Sequence, residues 1–280
     1  MKFTYLLLLV SSALVLAADS MQPVYKSKAS MYRPYLDRIT GRLVFGTMQG
    51  GCNVVSMGNE AGVHLTQSTD NSYGSVTAKH PIAMDNWKMD IHMSVKRGAQ
   101  GMGIWFTKDF NSGTLFGGSP QFNGLLVFMA MSENTLTDKY PMIGIATAYG
   151  GAPVVHFSKK VDLVQNCMIS LKFVNGVLSV MYGGRNKEVK LIEEMRRVSF
   201  DDGTRLTISG QVADSDGDIN IKSISVFKMH RPRRIPKVDE IPKTRQKMTW
   251  LIFGAVLIGV GYYVYKQRTV KQKHKGILQQ

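Results

Sequence analysis

The sequence predicts an all-β fold in which antiparallel strands pack as a two-layer sandwich or jelly roll. Apolar residues recur at every second position from 87 to 95, the period of a strand with one buried face. Residues 125–131 are almost wholly apolar and follow a glycine, as expected for a strand inside a two-layer core. Asn175-Gly176 separates two apolar runs and is typical of a two-residue hairpin turn.

The other elements of this domain are short strands separated by turns. Residues 102–106 resume the alternation after a glycine-rich break, and a turn-forming run follows at 111–120. Residues 189–197 are the one candidate for an amphipathic helix, of one or two turns. Further strands are predicted at 154–157, 168–174, 177–182, 206–209 and 219–227.

Hydrophobic segments flank the predicted domain on both sides. Residues 1–17 have the pattern of a secretory signal peptide, with Lys2 before an apolar run and Ala17-Ala18 at the cleavage position. An N-terminal membrane anchor is the alternative interpretation. Residues 249–265 carry no charge, and 17 residues at 1.5 Å each span about 25 Å, which predicts a C-terminal transmembrane helix.

These segments predict a single-pass type I membrane protein. Residues 18–229 would form a luminal domain, and 230–248 a basic stem whose prolines keep it extended. Residues 266–280 would form a cytosolic tail, whose basic residues agree with the positive-inside tendency. Because the stem is too short and too proline-broken for a coiled coil, we expect a monomer.

The basic residues are concentrated outside the predicted domain. The formal net charge is +15, but outside the signal peptide, stem and tail there are 22 basic against 18 acidic residues. A domain with so small an excess gives little support to nucleic-acid binding, which we do not expect. We expect the basic flanks of the membrane segment to contact anionic lipid head groups.

The two cysteines, Cys52 and Cys167, lie 115 residues apart. A disulfide would persist in the secretory pathway, but it requires the two Cα atoms to approach within about 7 Å. The sequence does not determine that distance. A disulfide and a pair of buried free thiols therefore both stay open.

Three sequence blocks occur in order near the centre of the chain: GMGIWFT at 101–107, FGG at 116–118 and FNGLLVF at 122–128. They resemble the L-type (legume-like) lectins of the eukaryotic secretory pathway, which are membrane-bound cargo lectins of the endoplasmic reticulum and Golgi. A weaker similarity extends over 35–229. The resemblance implies a concanavalin-like jelly-roll β-sandwich and a place in the endoplasmic reticulum or Golgi membrane.

In that family, aspartates and an asparagine after the central strand hold calcium, which fixes the loops that contact mannose. The principal aspartate falls on Ala130 in this sequence, and the asparagine falls on Asn134, which matches. The sugar-contact positions fall on Gln100, on His156 and on Gly210, where His156 is one place early and the second glycine of the late loop is missing. The resemblance thus gives Gln100, Asn134, His156 and Gly210 as candidate carbohydrate-binding residues.

The loss of the carboxylate at position 130 argues against a bound metal. Hard cations need several oxygen ligands, mostly carboxylates, so we expect no calcium and no other cofactor. A rearrangement that brings in Glu133 or Asp138 is an open alternative. Residues 214–218, DSDGD, resemble the start of a helical calcium loop, but the later glycine and glutamate are missing, and we expect a solvated turn.

The function implied is that of a lectin-like cargo receptor or trafficking adaptor in vesicle transport, which binds secretory glycoproteins or other luminal cargo. One alternative is a lectin with weak, metal-independent binding of mannose-type glycans. Another is a structural membrane protein without glycan binding. We expect no enzymatic activity, because glycoside hydrolases on this sandwich need two carboxylates about 5 to 9 Å apart, and acidic residues are sparse in the predicted strands.

Overall fold

The computed structural model describes residues 25–27, 30–66, 69–82, 85–132, 136–137, 140–184, 188–213 and 216–229. All of them belong to the first of two units, Met1–Arg231, and the second unit, Pro232–Gln280, is not described. The predicted signal peptide, stem, transmembrane helix and tail lie outside the described residues and stay predictions. No helix in the described ranges is long and apolar enough to cross a membrane.

Fifteen of the sixteen strands form two antiparallel sheets that pack face to face, which confirms the predicted all-β sandwich. The strands are β1 Tyr25–Lys26, β2 Gly46–Gly50, β3 Asn53–Val55, β4 Gly62–His64, β5 Tyr73–Ala78, β6 Trp87–Val95, β7 Ala99–Thr107, β8 Ser112–Leu115, β9 Asn123–Ala130, β10 Met142–Tyr149, β11 Val154–Lys160, β12 Asn166–Val174, β13 Val177–Gly184, β14 Lys190–Arg196, β15 Arg205–Val212 and β16 Ile219–Lys228. The eight-stranded sheet has the order β14-β13-β12-β6-β16-β4-β3, with β1 also paired to β16, and the seven-stranded sheet has the order β11-β10-β9-β7-β15-β5-β2.

The core between the sheets follows the alternation read from the sequence. Every second residue of β6, starting at Trp87, is buried against the opposite sheet, and the residues between them are only partly buried. Trp87 stacks on Phe106 with ring centroids 5.5 Å apart, which joins the two layers. The predicted hairpin is confirmed, because Asn175 and Gly176 connect β12 to β13 with φ angles of 52° and 78°.

A second apolar layer covers the outer face of the seven-stranded sheet. We call it the outer-face cluster. The segment 108–122 folds back over β7, β9 and β10, so these strands are buried on both faces. Within this segment, predicted as turns, lies the short strand β8, which is bridged to Gly118. The cluster consists of Trp105, Leu115, Phe116, Phe122, Leu126, Phe128, Ala130, Ala146 and Ala148.

The helix predicted at 189–197 is wrong, because this segment forms the edge strand β14. Its partly buried apolar residues are Ile192 and Met195, three positions apart, which is a helical spacing. A bulge causes this spacing: Val180 pairs with Glu193 while Met181 pairs with Leu191, leaving Ile192 as the extra residue. The bulge breaks the period of two that identifies a strand.

Cys52 and Cys167 are free thiols, which settles the alternative left open by the sequence. Cys167 lies in β12 of the eight-stranded sheet, whereas Cys52 follows β2 of the other sheet. The Sγ atom of Cys52 donates to the carbonyl oxygen of Ser75 over 3.3 Å. Burial raises the pKa of both thiols to about 12, so neither forms a reactive thiolate at neutral pH.

Candidate functional site

Ala130, the position of the family's principal metal-binding aspartate, lies at the end of β9. Its neighbours across the sheet are Gly101 of β7 and Met142 of β10. Ala130 has no exposed surface, and its methyl group belongs to the outer-face cluster. The position is therefore part of an apolar packing layer.

Aromatic side chains fill the space around this position. Phe116 and Phe128 stack with centroids 5.7 Å apart and planes inclined by 15°. A Cβ atom added to Gly101 would lie 2.4 Å from the Phe116 ring, so the ring rests directly on the strand that pairs with Ala130. An ion held here would lose its water and gain apolar neighbours, which costs several kcal/mol or more. The apolar neighbours of Ala130 therefore support the prediction that no calcium binds at this position.

Two of the candidate sugar-contact residues, Gln100 and Gly210, lie at the same end of the sheet as Ala130. The carbonyl oxygen of Gln100 accepts hydrogen bonds from the backbone N–H groups of Met131 at 3.0 Å and Ser132 at 3.2 Å. Gly210 is buried, and a Cβ atom on Gly117 would lie 2.9 Å from its carbonyl oxygen. The folded-back segment therefore covers Gly210.

Two consecutive hydrogen bonds hold the folded-back segment 108–122 on the sheet. The indole Nε1–H of Trp105 donates to Ser209 Oγ over 2.7 Å, and the Ser209 hydroxyl donates to the carbonyl oxygen of Phe116 over 2.5 Å. Phe116 has a left-handed φ of 50°, and Gly117 follows with 84°. The sequence showed the Phe116-Gly117-Gly118 block as a family motif but not its position above the strands.

His156 lies well away from Ala130. It occupies the edge strand β11, at a bulge between the residues paired with Ile145 and Ala146. Ala130 pairs with Met142 of β10, and Met142 pairs with Lys160 of β11. Lys160 is therefore the β11 residue that lies beside Ala130 across the sheet. Four residues of strand correspond to about 13 Å, so His156 does not join Gln100 and Gly210. Its Nε2 atom is 2.7 Å from the Thr147 hydroxyl oxygen.

Asn134, the fourth candidate, lies outside the described residues, as do Glu133 and Asp138. Among the described residues, no group of three or more His, Cys, Asp or Glu side chains is arranged to hold a metal ion. The absence of calcium stays a prediction, supported by the apolar packing of Ala130.

The solvated turn predicted at 214–218 is wrong for Asp218, which is 8% exposed. Its Oδ1 atom is 3.0 Å from His64 Nδ1, and its Oδ2 atom is 3.8 Å from Lys96 Nζ. His64 Nε2 is 3.0 Å from the Glu60 carbonyl oxygen, so both ring nitrogens face acceptors. The hydrogen bond to Asp218 raises the pKa of His64, against the opposing effect of burial.

Comparison with known proteins decides the family. Residues 22–235 match the sequence model of the Legume-like lectin family. The chain belongs to this family. Over 151 residues it is 24% identical to Protein ERGIC-53 of Chlorocebus aethiops, a match that covers 52% of this chain and 28% of that protein. The chain therefore matches less than a third of the length of that relative.

Solved structures support the legume-like lectin fold. The VIP36 exoplasmic/lumenal domain in its Ca²⁺/Man-bound form superposes with a TM-score of 0.66 at 20% identity, covering 75% of this chain and 94% of that one. The legume lectin-like domain from Entamoeba histolytica gives a TM-score of 0.62 at 16% identity, covering 74% of this chain and 100% of that one. The resemblance read from residues 101–128 is confirmed. This legume-like lectin keeps the sandwich and has a closed apolar layer at position 130.

Proposed function

We propose that the protein is a lectin-like cargo receptor or trafficking adaptor of the early secretory pathway that binds luminal protein cargo without calcium. Membership of the legume-like lectin family supports the lectin-like role, since the L-type lectins that the sequence resembles are cargo lectins. The observation that carries the metal-independent part is the burial of Ala130 beneath Phe116 and Phe128. Without a metal to fix the sugar-contacting loops, the luminal domain would recognise its cargo through polypeptide surfaces.

The predicted membrane topology would place the cargo-binding domain in the lumen of the secretory pathway. A signal peptide at 1–17 and a transmembrane helix at 249–265 would place residues 18–229 in the lumen as a single-pass type I protein. The matched relatives include ERGIC-53 and an exoplasmic/lumenal domain, which supports residence in the endoplasmic reticulum or Golgi membrane. The basic stem and tail would contact anionic lipid head groups, and nucleic acid is not an expected partner.

A second candidate is weak, metal-independent binding of mannose-type glycans. The observation that favours it is the position of Gln100 and Gly210 at the end of the sheet where the family binds sugar. Burial of Gly210 under Gly117 argues against it, because a sugar would need that segment to open. We rank protein binding first for this reason.

The test uses the full-length protein, cross-linked to its neighbours in living secretory cells and purified. We expect secretory clients to be captured equally with and without a calcium chelator, and also when N-glycan addition to the clients is blocked. Glycan-array binding of the same protein that is lost with chelator would contradict the proposal. Capture that requires client glycans but no calcium would favour the second candidate. A protein that captures neither clients nor glycans would be a structural membrane component.

A further inference from the structure

Strand β2, Gly46–Gly50, forms one edge of the seven-stranded sheet. Within the described ranges it pairs with β5 alone, and the register of this pair has no shift along the strand. All residues of β2 after Gly46 are exposed, and Gly46 is partly buried. The outer side of β2 is therefore accessible to another polypeptide.

The three even-numbered residues of β2 direct their backbone groups to that outer side. Hydrogen-bonded pairs alternate along an antiparallel ladder, so one bond fixes the pattern for the whole strand. The N–H of Lys79 donates to the carbonyl oxygen of Phe45 over 2.9 Å. At the other end, the N–H of Gly51 donates to the carbonyl oxygen of Tyr73 over 2.8 Å. The odd-numbered residues thus bond to β5, and the outward N–H and C=O groups belong to Gly46, Met48 and Gly50.

The other edge strands carry features that hinder the addition of a further strand. Strands β11 and β14 each contain a bulge, and both carry charged side chains, including Lys159 and Lys160 at the end of β11. Strands β1 and β3 are only two and three residues long. Natural sheets protect their edges with such features, whereas β2, with the sequence GTMQG, has no bulge, proline or charge. Among the described edges, β2 is the one open to pairing.

The outward groups of β2 are arranged symmetrically about Met48. A row of backbone N–H and C=O groups is matched by another extended backbone. A second β2 running antiparallel brings Met48 opposite Met48 of the second copy, and Gly46 opposite Gly50 of the second copy. Each outward N–H then meets a C=O, as in an isologous interface. Thr47 would lie opposite Gln49 without any charge repulsion, so β2 is complementary to itself.

Exposed apolar side chains flank this edge. Met48 is 39% exposed, and Val44, two residues before the strand, is 58% exposed. Tyr73, beside the end of β2, is 43% exposed. Burial of these side chains would add to the backbone pairing. Because a strand of five residues spans only about 17 Å, the contact belongs to the small class of protein interfaces, and we expect a weak dimer.

We propose that two copies of this chain associate through β2, which joins their seven-stranded sheets into one continuous sheet. The expectation of a monomer rested on the lack of a coiled coil in the stem and does not concern a sheet edge. Three strands separate β2 from β9, which carries Ala130, so the pairing leaves that position free. The inference goes beyond the proposed function and does not depend on it.

The test measures the mass of the full-length protein in detergent by sedimentation velocity over a range of concentrations. Met48→Lys places two like charges opposite each other at the centre of the pairing. The matched control is Val154→Lys, since Val154 is an exposed apolar residue on β11, the opposite edge of the same sheet.

A second measurement uses cysteines and the short cross-linker bismaleimidoethane. Met48→Cys places a thiol where the two copies would meet, and Val154→Cys places one at the opposite edge. Wild type is the blank, because burial raises the pKa of its two thiols to about 12 and keeps them unreactive. Met48→Cys is a small, uncharged change, so this measurement decides the question if Met48→Lys fails to fold.

We expect wild type to form a dimer with a Kd in the micromolar range. Met48→Lys should raise this Kd about tenfold or more, while Val154→Lys leaves it unchanged. Met48→Cys should give a cross-linked dimer, whereas Val154→Cys and wild type should not. Three results would each overturn the proposal: a monomeric wild type at every concentration, equal dimerisation of Met48→Lys and wild type, or no cross-linking of Met48→Cys.

Three further results separate this inference from other interpretations. If Met48→Cys in living cells is cross-linked to secretory clients and not to a second copy, β2 binds cargo and the dimer is overturned. If wild type is monomeric yet captures clients, the dimer falls and the receptor function stands. If the dimer forms as expected but no client is captured, the dimer stands and the receptor function falls.

Discussion

Replacing Ala130 with aspartate restores the residue type that the family uses for calcium, and we expect it to destabilise the domain. Ala130 is fully buried beside the stacked Phe116 and Phe128, with Gly101 and Met142 as its strand neighbours. Three added heavy atoms in a packed layer cost about 1 to 3 kcal/mol, and a carboxyl without a hydrogen-bond partner costs about 1 to 3 kcal/mol more. The expected loss in the free energy of unfolding is about 2 to 6 kcal/mol while the carboxyl is neutral.

This loss should depend on pH. Burial raises the pKa of a carboxyl at position 130 above its unfolded value of about 3.9. Below that value the carboxyl is neutral in both states, and above it the unfolded state gains by losing its proton. The difference between Ala130→Asp and wild type should therefore grow as the pH rises above about 4. Ala130→Asn, which has nearly the same shape, should cost stability without this dependence.

The assay is urea unfolding followed by tryptophan fluorescence, with and without calcium. With a slope of about 2 kcal/mol per molar urea, the midpoint of Ala130→Asp should fall by roughly 1 to 3 M near pH 4 and by more at pH 7. Ala152→Asp, in the exposed β10–β11 connection, is the matched surface control and should change the free energy of unfolding by less than about 0.5 kcal/mol. The reasoning is refuted if Ala130→Asp is as stable as wild type, or if calcium raises its midpoint and not that of wild type.

Three further substitutions test other parts of the structure. His64→Gln should lower the free energy of unfolding by about 1 to 3 kcal/mol, because it removes the imidazole that is hydrogen-bonded to buried Asp218. Since the folded pKa of His64 is raised, the stabilisation is complete below its unfolded pKa of about 6.5 and is lost as the pH rises through the folded pKa. A difference in urea midpoint between wild type and His64→Gln that stays the same from pH 6 to pH 9 would contradict this. Ser209→Ala leaves the buried Trp105 N–H without its acceptor and should cost about 1 to 3 kcal/mol, together with a change in tryptophan emission that Ser158→Ala, on an exposed strand, does not produce. Gly176→Ala places a Cβ atom at a φ of 78° and should cost about 1 kcal/mol in thermal unfolding, and an unchanged Tm would show that the hairpin tolerates the side chain.

The regular strands were predictable because burial on one face leaves its period in the sequence. Strand β6 alternates without interruption, and Asn175-Gly176 determines its own turn locally. Strand β14 was misread because its bulge introduces a spacing of three between Ile192 and Met195. A bulge depends on how a strand pairs with its neighbour, which a single segment does not reveal.

The candidate site was predictable only in part. Gln100 and Gly210 lie near Ala130 because neighbouring strands carry them to one end of the sheet. His156 does not, because its place depends on the register of an edge strand with a bulge. The packing of the segment 108–122 on the sheet was not predicted, because its glycine-rich sequence is typical of a loop. Phe116 is buried only because it packs on the strands below it, which its own segment does not reveal. Asp218 appeared solvated because its partner His64 is distant in sequence.

The two hydrogen bonds that link Trp105, Ser209 and Phe116 restrict which substitutions this domain can accept. These two hydrogen bonds hold the folded-back segment 108–122 over strands that would otherwise face solvent. The packing of this segment therefore depends on the small side chain of Ala130 beneath it, and Ala130 is buried only while the segment is in place. A single substitution of Ala130 by an acidic residue would bury a carboxyl under the segment 108–122 and lower the stability. Displacement of that segment would expose its aromatic rings to water. An acidic residue at position 130 would therefore be accommodated only if several packed side chains around it changed together.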